Sequence, residues 1–257
     1  MNRPTQSQLV NPNLASSPAG PDASDRSGFR PRPARRHFLR LAAGGALIGW
    51  LARTAAKLGF PEPVFAQSTL SPDAALAELM AGNKRFTTGA TTAHEHDLAI
   101  LKQNTIEKQE PFAGVLSCAD SRVPVELIFD QSIGHLFVTR VAGNVITPEI
   151  IASLEYGAAV LGTKVILVMG HASCGAVKAT IQGKEVPGQI SALYPHIQPA
   201  LDQAGHDLEA AARANARIQA TLLRESSTVV AGLVKEGKLK VVAAYYEIGS
   251  GSVTLLN

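Results

Sequence analysis

The chain has 257 residues, 46% of them hydrophobic and 18% charged, with two cysteines and a formal net charge of +3. The positive charge sits in the first 66 residues, which hold nine Lys/Arg against three Asp/Glu, so the other 191 carry a net −3. A mildly acidic domain excludes the basic footprint of a nucleic-acid binder, and its length suits one domain with a full-sized core.

Residues 1–34 are rich in Pro, Ser, Asn and Arg and lack an apolar run, so they are expected to be a disordered extension. Residues 35–66 read as a signal peptide. Arg35-Arg36 precedes Phe38-Leu39, and the uncharged stretch over 41–52 has 12 residues, short of the roughly 20 that span a bilayer. Val64-Phe65-Ala66 then offers a peptidase site. The paired arginines resemble a twin-arginine (Tat) export signal, which places the mature domain, residues 67–257, in the periplasm or otherwise outside the cytoplasm. An uncleaved membrane anchor and a fortuitous Arg-Arg pair are the alternatives. In an exported protein, two cysteines suggest one disulfide by default.

Along the mature chain, Ser71 and Pro72 predict a helix cap ahead of residues 74–86. A second helix is expected over 97–109, stopped by Pro111. Residues 112–117 and 135–141 are short apolar runs fit for strands, and 164–169 is the clearest buried strand. Helices are expected over 148–161, 175–182 and an Ala-rich 206–235 broken near Ser226-Ser227. Residues 239–246 and 252–256 flank a Gly-Ser-Gly turn and predict a hairpin. Strands alternating with helices give an α/β fold with a mainly parallel sheet.

Two segments carry chemistry, each directly after a predicted buried strand: Ser117-Cys118-Ala119-Asp120-Ser121-Arg122 and Gly170-His171-Ala172-Ser173-Cys174-Gly175. If their strands are neighbours, both arrive at one crevice beyond the sheet's carboxyl edge. Cys118, His171 and Cys174 would then offer two thiolates and an imidazole, a set that zinc accepts. His-x-x-Cys is expected to chelate from the first turn of a helix. No fourth Cys or His lies in either motif, and an open fourth position marks catalytic zinc rather than structural zinc. Asp120 is the nearby candidate for that position, and Arg122 could draw it away in a bidentate fork. Zinc can lower the pKa of a bound water from 15.7 to about 7, giving a nucleophile for a small electrophile. A Cys118–Cys174 disulfide and a thiol-based redox site remain open alternatives.

These residues, with Val123-Pro124 after the first segment and Ala176-Val177 after the second, resemble the paired signature of the β-carbonic anhydrases. Gly82-Asn83-Lys84-Arg85-Phe86, Arg140-Val141-Ala142-Gly143-Asn144, Ser153-Leu154-Glu155-Tyr156 and the Lys240–Tyr246 strand resemble that family too, over residues 75–256. The resemblance implies a mainly parallel sheet with an antiparallel edge strand, flanked by helices, in a homodimer or homotetramer. It implies Cys118, His171 and Cys174 as zinc ligands, with Asp120 and Arg122 as the dyad that controls the fourth position. The implied activity is a lyase's: reversible hydration of carbon dioxide to bicarbonate and a proton. Relatives that act on carbonyl sulfide or carbon disulfide make those gases the alternative substrates, and a non-catalytic zinc or redox protein is the third possibility.

Gly134-His135-Leu136 departs from the family's Gly-Asp-Leu, and Asn215-Ala216 from its Asn-Val. The only tryptophan, Trp50, lies in the leader, which argues against the regulatory bicarbonate pocket found in one branch. His94-Glu95-His96-Asp97 reads as a solvated loop, and His135, His196 and His206 as ordinary structural or surface residues.

Overall fold

A computed structural model describes residues 68–93, 99 and 108–256. The extension, the twin-arginine segment, Trp50, the His94–Asp97 cluster and most of the helix expected over 97–109 lie outside the described residues. Among those described, no helix is long and apolar enough to cross a membrane.

Five strands form one sheet: β1 (Ala113–Ser117), β2 (Leu136–Arg140), β3 (Val165–His171), β4 (Lys240–Glu247) and β5 (Ser252–Leu256), in spatial order β2-β1-β3-β4-β5. All neighbours pair in parallel except β4 and β5, which form the expected hairpin and supply the antiparallel edge. Every residue of β1 and β3 is buried, as expected for parallel strands covered on both faces. Their side chains alternate between two cores. Val115, Val165, Leu167 and Met169 pack on one side with Leu79 and Phe129. Leu116, Ile166 and Val168 pack on the other with Ala216, Ala220 and Leu223.

Helix α1 (Pro72–Thr87) covers the first face and begins as the sequence predicts, with Ser71 Oγ accepting the Ala74 N–H at 3.2 Å. The Gly-Asn-Lys-Arg-Phe run at its end ties three elements together. Gly82 lies so close to Phe129 that a Cβ there would sit 1.8 Å from the Phe129 carbonyl oxygen. Asn83 donates to the Ile128 and Gly251 carbonyls and accepts the Val253 N–H at 2.8 Å, joining α1 to the short helix α2 (Val125–Ile128) and to β5. Arg85 pairs with the buried Asp130 at 2.5 Å.

Helix α3 (Pro148–Glu155) departs from expectation: the single helix predicted through Leu161 gives way to a wide turn over Tyr156–Val160. The Leu161 N–H reaches back five residues to the Tyr156 carbonyl, and Gly157 lets this turn sit against Phe137, where a Cβ would come within 2.9 Å of the ring. Helix α4 (Gly175–Gln182) has the predicted limits. Helix α5 (Tyr194–Ala204) falls in a stretch for which the sequence gives no element; Pro195 suits its first turn and Pro199 lies inside it. The Ala-rich region forms α6 (Leu208–Ser226) and α7 (Thr228–Lys235), broken where anticipated by Ser227, whose Oγ caps α7 through the Val230 N–H. Five buried alanines on α6 let it lie close to the sheet; a Cβ on Gly170 would meet the Ala212 carbonyl at 2.8 Å.

Candidate metal centre

β1 and β3 are adjacent and parallel, with Ser117 opposite Met169, so their carboxyl ends open side by side. Cys118 follows β1 directly. His171 is the last residue of β3, and Cys174 is the N-cap of α4. The His-x-x-Cys chelate is therefore made by a strand end and a helix cap, not by the helical first turn that the spacing predicts. The chain reverses between them through Ser173, whose φ of 54° lies in the left-handed region, a conformation that costs a non-glycine residue energy.

The donor atoms of Cys118, His171 and Cys174 all lie within 4.8 Å of one another, and all three residues are at least 97% buried. Both thiols are free. His171 Nδ1 lies 2.9 Å from the Ala172 carbonyl oxygen, which can only accept, so Nδ1 carries the hydrogen and Nε2 faces the thiols with its lone pair. Nε2 is buried and has no hydrogen-bond partner. An orphaned imidazole nitrogen beside two thiols is costly unless something binds it, and this donor set can hold a metal ion.

The two thiols share charge unequally. A hydrogen bond from Cys174 holds Cys118 well below the usual thiol range, helped by the Gly143 N–H. Donating that bond, with burial added, pushes Cys174 well above it.

Asp120 and Arg122 stand at the mouth. Asp120 Oδ1 accepts the Arg122 backbone N–H at 2.9 Å and Nε–H at 3.0 Å, while Oδ2 accepts from Nη2 at 2.8 Å. The guanidinium also donates to the Ser173 carbonyl at 3.3 Å, tying the first segment to the second. This fork holds the Asp120 carboxyl far below the usual carboxylate range. Its Oδ2 lies 4.0 Å from His171 Nε2, so the carboxylate faces the donor cluster while gripped from outside.

Sequence reasoning missed the support beneath these residues. Arg140, at the end of β2, donates to the Cys118 carbonyl at 2.9 Å and the Asp120 carbonyl at 2.6 Å. Gly143, at φ 75°, donates its N–H to Cys118 Sγ at 3.3 Å. Behind it stand Asn215 and Gln219 of α6, both fully buried. Two amides four residues apart on an otherwise alanine-rich helix face were the available signal. His135 takes no part: it packs edge-on against Phe112 and faces Gln131.

Comparison with known proteins agrees with this geometry. The family model described as carbonic anhydrase matches residues 113–253. A carbonic anhydrase of Mycolicibacterium smegmatis is 34% identical over 195 residues, covering 72% of this chain and 93% of its own length. The β-carbonic anhydrase CcaA superposes with a TM-score of 0.56 at 26% identity, over 71% of this chain and 87% of that one. One of two tetrameric β-carbonic anhydrases of Sordaria macrospora shares the fold at a TM-score of 0.57 and 22% identity, over 69% and 91% of the chains.

Proposed function

The chain belongs to the carbonic anhydrase family, and from that premise we propose that Cys118, His171 and Cys174 hold one catalytic zinc ion for the reversible hydration of carbon dioxide to bicarbonate and a proton. The observation that carries this proposal is the buried, partnerless His171 Nε2 set within 4.8 Å of two free thiols. Zinc, when bound there, supplies the Lewis acidity that makes water a competent nucleophile near neutral pH.

The chain's own residues set the conditions. The Ala172 carbonyl fixes the tautomer that turns Nε2 inward. Arg122 keeps Asp120 ionised, and an ionised carboxylate can only accept hydrogen bonds, so Asp120 orients a water by taking one of its protons in a hydrogen bond. While the fork holds, the carboxylate is kept from the donors. Released by Arg122, the carboxylate would be free to serve as the fourth ligand and close the site. Arg122 is half exposed, so the dyad marks the solvent side, where bicarbonate and the proton leave.

Two further proposals concern context. The Arg35-Arg36 leader directs export by the twin-arginine route to the periplasm; if changing both to lysine leaves export intact, this route is wrong. The mature protein assembles as a homodimer or homotetramer, as the tetrameric Sordaria proteins do; a monomer by sedimentation would exclude this.

Purified protein, assayed for zinc and for turnover of carbon dioxide, carbonyl sulfide and carbon disulfide, tests the proposed function. One zinc per chain with carbon dioxide as the preferred gas supports it. Preference for a sulfur gas would move the substrate, and a metal-free Cys118–Cys174 crosslink would end the proposal.

A further inference from the structure

A buried hydrogen-bond relay runs from α6 to the Cys118 sulfur. Gln219 Oε1 accepts the Ile146 N–H at 2.7 Å, and Gln219 Nε2 donates to the His196 carbonyl at 2.9 Å and to Asn215 Oδ1 at 3.1 Å. Asn215 Nδ2 donates to the Gly143 carbonyl at 2.8 Å. Gly143 in turn donates its own N–H to Cys118 Sγ at 3.3 Å.

The direction of this chain is fixed at both ends. The Ile146 N–H can only donate, which sets the Gln219 amide; the Gly143 carbonyl can only accept, which sets the Asn215 amide. Both side chains are fully buried, so neither amide has water to fall back on. An amide reversed in such a place would leave buried donors and acceptors unpaired.

The need for the relay lies in the Gly143 loop. Gly143 and Asn144 both adopt positive φ, 75° and 45°. A Cβ on Gly143 would meet Ile197 Cδ1 at 2.8 Å, so the backbone here is pressed against α5. Glycine takes this conformation as readily as others, so the groups around Gly143, and not its own backbone preference, decide where its N–H points. Asn215 holds its carbonyl end and Cys118 receives the adjoining N–H.

We propose that Asn215 and Gln219 are positioning residues for the metal centre: they orient Gly143 so that its N–H bonds the Cys118 sulfur, and so set how strongly that sulfur binds and donates to the metal. The inference rests on the proposed Cys118–His171–Cys174 metal site and concerns residues outside it. Partners of metal ligands of this kind change metal affinity by about 10–100-fold when removed. An N–H bond also stabilises the sulfur lone pairs, which raises the energy needed to move an electron from sulfur to the metal.

The test uses the full chain loaded with cobalt(II), whose thiolate charge-transfer bands report the sulfur directly. Asn215→Asp keeps size and shape but replaces the donor facing the Gly143 carbonyl by an oxygen; Gln219→Glu makes the same exchange one step further back. Leu223→Ala, on the same helix but in the cluster with Leu116, Ile166 and Val168 and outside the relay, is the control for plain loss of stability. The expected result is a shift of the bands to longer wavelength and cobalt affinity weakened about tenfold or more in Asn215→Asp, with a smaller shift in Gln219→Glu and none in Leu223→Ala. If Asn215→Asp does not fold, Gln219→Glu carries the test alone. Bands and affinity unmoved in the folded amide variants would overturn the relay. Failure of the unaltered chain to bind cobalt would overturn the metal site itself.

Discussion

Arg122 grips Asp120 with three hydrogen bonds of 2.8–3.0 Å, one from its backbone and two from its guanidinium. Because the fork favours the charged carboxylate, its contribution is present above the ordinary carboxylate pKa of about 3.9 and is lost only as pH falls through the depressed value. Asp120 should therefore stay ionised throughout mildly acidic conditions. In Arg122→Ala the Asp120 carboxyl should titrate nearer the ordinary carboxylate value of about 3.9, with hydration at neutral pH down about tenfold or more. Asp120→Asn should keep zinc yet lose most hydration. Stopped-flow profiles with metal analysis check both; wild-type turnover in Asp120→Asn would remove the carboxylate from the mechanism.

The unequal thiols predict how metal loading exchanges protons. The bond from Cys174 favours the thiolate at Cys118 and the protonated thiol at Cys174, and metal ligation requires both deprotonated. Measured near pH 6, where a zinc-bound water still holds its protons, zinc binding should release about one thiol proton, not two, and affinity should rise about tenfold per pH unit. Calorimetry in buffers of different ionisation enthalpy measures this number. Release of two would show that neither thiol is ionised beforehand.

Ser227 serves two elements at once, capping α7 through the Val230 N–H at 3.0 Å and donating to Glu155 Oε1 at 2.6 Å. Ser227→Ala should cost about 1–2 kcal/mol, the cap supplying most of it. Urea unfolding should show a lower midpoint with an unchanged slope.

Two glycines should respond in opposite ways. Gly82→Ala forces a methyl to 1.8 Å from the Phe129 carbonyl oxygen and should destabilise by more than about 3 kcal/mol. Gly232, inside α7, has open space for a Cβ, so Gly232→Ala should stabilise by about 0.5–1 kcal/mol. Thermal melts of the pair decide it.

How much of this was legible in the sequence depends on range. β1, β3 and the β4–β5 hairpin could be read because buried parallel strands and a Gly-Ser-Gly turn leave local signatures. Cys118, Asp120, His171 and Cys174 could be read because each follows a strand that had to end at the same edge. Helix α5 could not, since Pro199 argues against a helix locally and burial of Ile197, Ala200 and Leu201 against the rest of the fold outweighs it. The wide turn after α3 depends on Phe137, a strand away. Arg140, Asn215 and Gln219 act through backbone carbonyls, and a carbonyl's partner carries no mark in the sequence. The strand-end and helix-cap geometry of His171 and Cys174 was hidden too, because it turns on the positive φ of Ser173, which a serine does not mark in the sequence.

Zinc add-back tests the central claim most directly. Carbon dioxide hydration is followed by stopped flow as zinc is returned to chelator-stripped protein. Activity should climb linearly and break at one zinc per chain, and Cys118→Ser should abolish both the break and the activity. Full activity in the stripped protein, or an unchanged titration in Cys118→Ser, would contradict a catalytic zinc held by Cys118, His171 and Cys174.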